Sequence, residues 1–267
     1  MPVPNVTRWR SDTAKIALTT ARRALTLAAT ASFEHSVLSG NSAGEVKRGT
    51  TLKRPRGGSR NPKHETRIRG VLFDFDGTLT RPGALDFPAI KRKIQCPAGI
   101  AILEYLDGLP SLGRAACLKL LEAMEEEAAR TAVPNTGAEP CLLSLKKEEI
   151  PFGILTRNSL SSVRIALERF ERIRLEDFKT VLTRDDFLPK PHPEGVFQAA
   201  ARMGVEPPEL MVVGDYRFDV LAGKAANAVA VLLSNGGEPV MEPGDPEPDH
   251  KVDNLLQILE ILGITSP

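Results

Sequence analysis

Cysteine is scarce. Cys96, Cys117 and Cys141 are the only three in 267 residues, they stand far apart, and no Cys-x-x-Cys occurs. An odd, scattered set makes a poor disulfide framework, so a reducing compartment is the simplest expectation. The four histidines are also scattered, which excludes a histidine metal cluster. No uninterrupted apolar run is long enough to span a bilayer. The best stretch, 16–33, is broken by Arg22 and Arg23. A clean apolar signal-peptide region and internal repeats are absent too.

An excess of one charge is lacking overall, with 35 Lys+Arg against 34 Asp+Glu. That balance hides an asymmetry. Residues 1–70 hold 14 basic and 4 acidic side chains, a net of +10, and the remaining 197 hold 21 and 30, a net of −9. The acidic main body is therefore no nucleic-acid-coating protein. Residues 1–66 are rich in Ala, Ser, Thr, Arg and Gly and read as a basic extension. The stretch 47–63 has almost no apolar content and is expected to stay disordered, and 14–31 can form a weak helix. A transit peptide, a basic arm touching an acidic surface or nucleic acid, and an extension without a site remain open for this segment. The cytoplasm is the expected location, or an organelle if the segment is a transit peptide.

From Arg67 the pattern changes. Val71-Leu72-Phe73 is a short apolar run ending in acids, bounded by Gly70 and Gly77, and reads as a buried strand and turn. Further runs follow at Phe152–Leu155, Thr180–Leu182, Leu210–Val213 and Val229–Leu233. Between them, Val163, Ala166, Leu167 and Phe170 keep helical spacing, as do Val196, Ala199, Ala200 and Met203, with Pro193 at a helix start. Val252, Leu255, Leu256 and Leu259 place a last helix near the end. Alternation of strands and helices predicts an α/β fold, a Rossmann-like parallel sheet with helices on both sides. Residues 82–134 break the alternation and look all-helical, with Cys117, Leu121, Met124 and Ala128 on one face. Glu125-Glu126-Glu127 reads as the solvated side of that helix. The expected organisation is a core of 67–81 and 135–267 with a small helical cap, 82–134, inserted after the first strand.

Ligands in such sheets bind at the carboxyl ends of the strands. The polar residues there are Asp74-Phe75-Asp76-Gly77-Thr78-Leu79-Thr80, Thr156-Arg157-Asn158, and Gly214-Asp215-Tyr216-Arg217-Phe218-Asp219. A separate loop holds Lys190-Pro191-His192-Pro193. In this order, over about residues 68–262, they resemble the haloacid dehalogenase superfamily, specifically its phosphatase branch of phosphoglycolate phosphatase-like enzymes. DFDGTLT at 74–80 is the specific part of that match, and the later signals are each weak alone.

The chemistry of phosphate esters assigns roles. Asp74 is the expected nucleophile, forming an aspartyl-phosphate. Asp76 is the expected acid for the leaving alkoxide and base for the attacking water. Gly77 permits a tight turn that faces N–H groups toward phosphoryl oxygens. Mg²⁺ would offset repulsion between the carboxylates and a dianionic ester. Its expected side-chain ligands are Asp74 and Asp215, the family pattern adds the Asp76 carbonyl, and Asp219 acts through water or by orienting Lys190. Thr156 donates a hydroxyl to the phosphoryl group, Lys190 steadies Asp74 and the transferring group, and Asn158 touches substrate or phosphate.

Plainer roles compete for some of these. Asp219 can be an ordinary acid of a helix's first turn, Lys190 a surface lysine, His192 structural, and Asp185-Asp186 a loop or helix cap. Tyr216 and Arg217 depart from the small residue common after Gly-Asp in the family, and Arg217 can pair with an acid. Lys91, Arg92, Lys93 and Arg114 read as solvated. Asp76 argues for phosphoryl transfer rather than dehalogenation, and a short cap for a phosphatase. The expected partner is a small phosphorylated metabolite, phosphoglycolate or a sugar phosphate, with no membrane and no nucleic acid. A phosphomutase of the β-phosphoglucomutase kind and a non-catalytic scaffold using the basic arm are the alternatives.

Overall fold

The computed structural model describes residues 67–238 and 240–265. The basic extension 1–66, with its expected weak helix and disordered stretch, lies outside the described residues.

Strand β1 (Gly70–Phe73) runs into a tight turn over Phe75–Leu79. Three helices follow: α1 (Phe87–Ile94), α2 (Ile102–Asp107) and α3 (Ser111–Thr131). Then come α4 (Ala138–Lys147), β2 (Phe152–Leu155), α5 (Leu160–Leu167), β3 (Thr180–Leu182) and α6 (Glu194–Met203). The chain continues through β4 (Leu210–Gly214), α7 (Arg217–Ala225), β5 (Val229–Leu233), β6 (His250–Val252) and α8 (Leu256–Ile261). All strands are parallel, in the order β3-β2-β1-β4-β5-β6.

Period-two alternation distributes the strand residues between two apolar layers. Val71, Phe73, Ile154, Met211 and Val213 pack with Leu142, Leu145, Val163 and Leu259 of α4, α5 and α8. Leu72, Leu155 and Val212 face the other way, onto Val196, Ala199 and Ala222 of α6 and α7. Burying each such Leu or Val contributes about 1.5–3 kcal/mol, against about 0–1 for an exposed pair such as Arg130–Glu127. The two apolar layers therefore dominate the fold's stability.

Helices α1–α3 carry a separate apolar cluster of Ile90, Ile94, Ile102, Leu103, Leu106 and Leu121. The entry and exit of this segment lie side by side. Thr80 and Pro134 form an antiparallel bridge, and Arg81 N donates to Val133 O at 2.9 Å. Helix α3 also packs against α5.

Two expectations and one competing plain reading need correction. Glu125 is not on a solvated face but 5% exposed, because Arg184 from beyond β3 pairs with it. Lys190 is no surface lysine: it is 3% exposed and bonded to two carboxylates. Val252 belongs to β6 rather than to the terminal helix, which starts at Leu256. The cysteines are unpaired, Cys96 and Cys141 being buried. Among the described residues no helix is long and apolar enough to cross a membrane.

Candidate active site

Strand order reverses direction between β1 and β4. Loops leaving those strands diverge to opposite sides, which opens a crevice at their carboxyl ends. Register then places the side chains. Phe73 pairs with Val213, and Asp74 N donates to Val213 O at 2.8 Å, so Asp74 and Gly214-Asp215 leave the sheet side by side. On the other flank Phe73 pairs with Ile154, which brings Thr156 to the same edge.

Two glycines are required by close approach. Gly77 has φ 81°, in the left-handed region, and a Cβ there would strike the Asp215 carboxylate. A Cβ at Gly214 would strike Asp219. Both glycines therefore let carboxylates crowd the strand ends.

Lys190 joins the cluster from its loop. Its Nζ donates to Asp74 Oδ1 at 2.5 Å and to Asp219 Oδ1 at 2.6 Å. Burial alone would lower its pKa, but the two carboxylates outweigh burial and hold the ammonium above its usual value. Asp219 Oδ2 also accepts from Tyr216 N at the start of α7 (3.3 Å), so its helix-capping and lysine-holding roles coexist.

Asp76 lies on the turn, where Asn158 Nδ2 donates to its Oδ2 at 2.8 Å. Burial, with the Asp74 charge beside it, pushes Asp76 up to about 7. Asn158 thus holds Asp76, while its own Oδ1 accepts from Ser159 N. Thr156 is buried at the cleft, and its Oγ1 accepts from Asn158 N at 3.1 Å.

Carboxylate oxygens of Asp74, Asp215 and Asp219 can lie within 4.8 Å of one another. Burial, then Asp74 and Asp219, push Asp215 up to about 8. Lys190 alone does not balance this many acids. An all-oxygen donor set with excess negative charge fits a hard divalent cation, which would offset that repulsion.

Sequence reasoning missed several supports. Asn235 Nδ2 donates to Gly77 O at 2.8 Å, and Asn135 Nδ2 donates to Thr78 O at 2.9 Å and to Asn235 Oδ1 at 2.8 Å. Asn235 follows β5, so the strand-end rule extended by one strand would have found it. Arg157 stacks over Phe218, with its guanidinium carbon 4.8 Å from the ring centroid. It also donates to the Lys190 carbonyl and pairs with Glu104 of α2 at 2.6 and 2.9 Å. Of the residues read as plain, Arg217 pairs with Asp245, His192 Nδ1 accepts from Glu194 N, and Asp186 caps Thr183.

A cleft of about 350 Å³ opens over these groups, and α1, α2 and α3 supply its far wall through Phe87, Ile102, Leu121 and Glu125. The family model for haloacid dehalogenase-like hydrolases matches residues 97–233. The chain belongs to this family. It is an enzyme, a hydrolase. A haloacid dehalogenase-like hydrolase domain-containing protein of Arabidopsis thaliana is 31% identical, over 74% of this chain and 85% of that one. Pyrophosphatase PpaX of Bacillus velezensis is 27% identical, over 75% and 99%. Among solved structures, a hydrolase from Pseudomonas syringae aligns with TM-score 0.62 at 21% identity, over 73% and 98%, and has the same fold.

Proposed function

We propose that the chain is a Mg²⁺-dependent phosphatase of a small phosphomonoester, of the phosphoglycolate or sugar-phosphate kind, working through an aspartyl-phosphate. The observation that carries this reading is the convergence of Asp74, Asp215 and Asp219 at the sheet's switch point, the first and last bonded to Lys190, with Asp76 two residues beyond Asp74. The names of relatives support the reaction class: one from Pseudomonas fluorescens is called a phosphoglycolate phosphatase, and PpaX is called a pyrophosphatase.

An Asp74 carboxylate oxygen attacks phosphorus, and the bond from phosphorus to the ester oxygen breaks. Asp76, protonated at its raised pKa, passes its proton to that leaving oxygen. As a carboxylate, Asp76 then takes a proton from water as the water attacks the aspartyl-phosphate. Inorganic phosphate leaves, and both acids return to their starting states. Lys190 holds Asp74 in orientation, and Asp219 keeps Lys190 in place. Thr156 and the N–H groups of the Phe75–Leu79 turn serve the phosphoryl oxygens. Asp74, Asp215 and the Asp76 carbonyl would hold Mg²⁺, with Asp219 behind them. When bound, the ion neutralises charge as the phosphoryl group moves. Residues 82–134 serve as a cap over a core of 67–81 and 135–267.

The test is phosphate release from a panel of esters by the full chain. Release should vanish with chelator and return with Mg²⁺. Unimpaired turnover by chelated protein would contradict the reading.

A further inference from the structure

The far wall of the cleft holds a carboxylate that the proposed chemistry does not use. Glu125 lines the cleft together with Asp76 and Asn158. Arg184 Nη1 donates to both of its oxygens, at 2.6 and 2.8 Å, and the two side chains are 6% and 4% exposed. One donor across two oxygens leaves acceptor capacity on each. Arg184 does not line the cleft, so the carboxylate is what the cleft sees. The surrounding wall is apolar, from Leu85, Phe87, Ile102 and Leu121.

Two of the three cations lining the cleft among the described residues are already held by carboxylates: Arg157 by Glu104, and Lys190 by Asp74 and Asp219. The third, Lys91, lies on α1 and donates to Ala98 O at 2.7 Å. A substrate carboxylate turned toward Glu125 would meet an acceptor, not a cation to receive it. A hydroxyl would meet a fixed acceptor.

We propose that Glu125, held by Arg184, is the specificity-determining residue of the cleft. It accepts a hydrogen bond from a hydroxyl on the non-phosphate part of the substrate and turns away esters that carry a carboxylate there. The substrate class is then a polyol or sugar phosphate, and phosphoglycolate is a poor substrate. The inference rests on the phosphatase reading above. Burial pushes Glu125 up to about 7 against the pull of Arg184, so the rejection operates above that pH, and specificity can come from such repulsion as well as from attraction.

The test compares kcat/KM for glycerol 3-phosphate and 3-phosphoglycerate, which differ in a hydroxymethyl against a carboxylate, with 2-phosphoglycolate as a third ester. The full chain with Mg²⁺ should prefer glycerol 3-phosphate by about tenfold or more. Removing Glu125 alone would strand the Arg184 charge, so the main variant is Glu125→Gln combined with Arg184→Gln, which removes both charges together. It should shrink the preference by about tenfold, chiefly through a lower KM for the carboxylated esters. A wild-type ratio near or below one overturns the inference. So does an unchanged ratio in a double variant that melts like the wild type. If the variant fails to fold, the wild-type ratio decides. Hydrolysis of all three esters without preference sinks Glu125 alone, whereas hydrolysis of none sinks the phosphatase reading and this inference with it.

Discussion

The sheet edge and the three-helix segment meet at one cleft but are built differently. At the edge, Asp74, Asp215 and Asp219 crowd around a single buried lysine, in positions set by strand register and by two glycines that leave no room for a Cβ. Helices α1–α3 offer the same cleft an apolar wall and one carboxylate, Glu125, whose partner Arg184 is 59 residues away in sequence. The contrast teaches a division of labour. On the proposed reading, the edge concentrates charge to move a phosphoryl group, and the helices choose what is attached to it.

The largest effect that would break this contrast is at the edge. Asp76→Asn should lower kcat/KM by roughly 10²–10⁴-fold, the usual contribution of a general acid and base, with little change in Tm. The wild-type pH profile gives the sign. Because the proposed first step needs Asp76 protonated and burial raises its pKa to about 7, kcat/KM should fall as pH rises through that region, and the limb should disappear in the variant. A profile identical in both proteins would remove Asp76 from the chemistry.

The Glu125 substrate ratio is the intermediate effect, at about tenfold, and it should leave the limb set by Asp76 in place. The smallest effect concerns a charge that only supports the scaffold. Arg217, by hydrogen bonding, holds Asp245 down to about 2, below its ordinary 3.8. A carboxylate with a depressed folded pKa stabilises the protein above its unfolded pKa, and that contribution is lost as pH falls from about 4 toward 2. Arg217→Gln should shift the acid-unfolding midpoint slightly upward, while leaving the ester preference unchanged. A shifted preference would place Arg217 in the cleft.

Legibility in the sequence follows the same division. Five strands announce themselves as apolar runs because both faces of a parallel sheet are covered. The sixth does not, since His250 and Lys251 lie exposed at the sheet edge and only Val252 is buried. Helix α4 drew no expectation, although it opens after Gly137 and places Cys141, Leu142 and Leu145 in the core. Asp74, Asp76 and Asp215 sit directly after apolar runs, so the strand-end rule reaches them. Lys190 carries no such mark, and only its loop and family order pointed to it. Glu125 was misread because three successive glutamates look solvated, and nothing local reveals a counter-ion beyond β3. Asn135 and Asn235 tie down the Phe75–Leu79 turn through its carbonyls, and pairings so distant in sequence leave no periodic trace.

The most direct test of the central claim is mass spectrometry of acid-quenched enzyme taken during turnover. The account predicts a phosphoryl group on Asp74, more of it in Asp76→Asn, and none in a folded but inactive Asp74→Asn. Steady turnover with no phosphoryl group at Asp74, or with one on a different side chain, would contradict it.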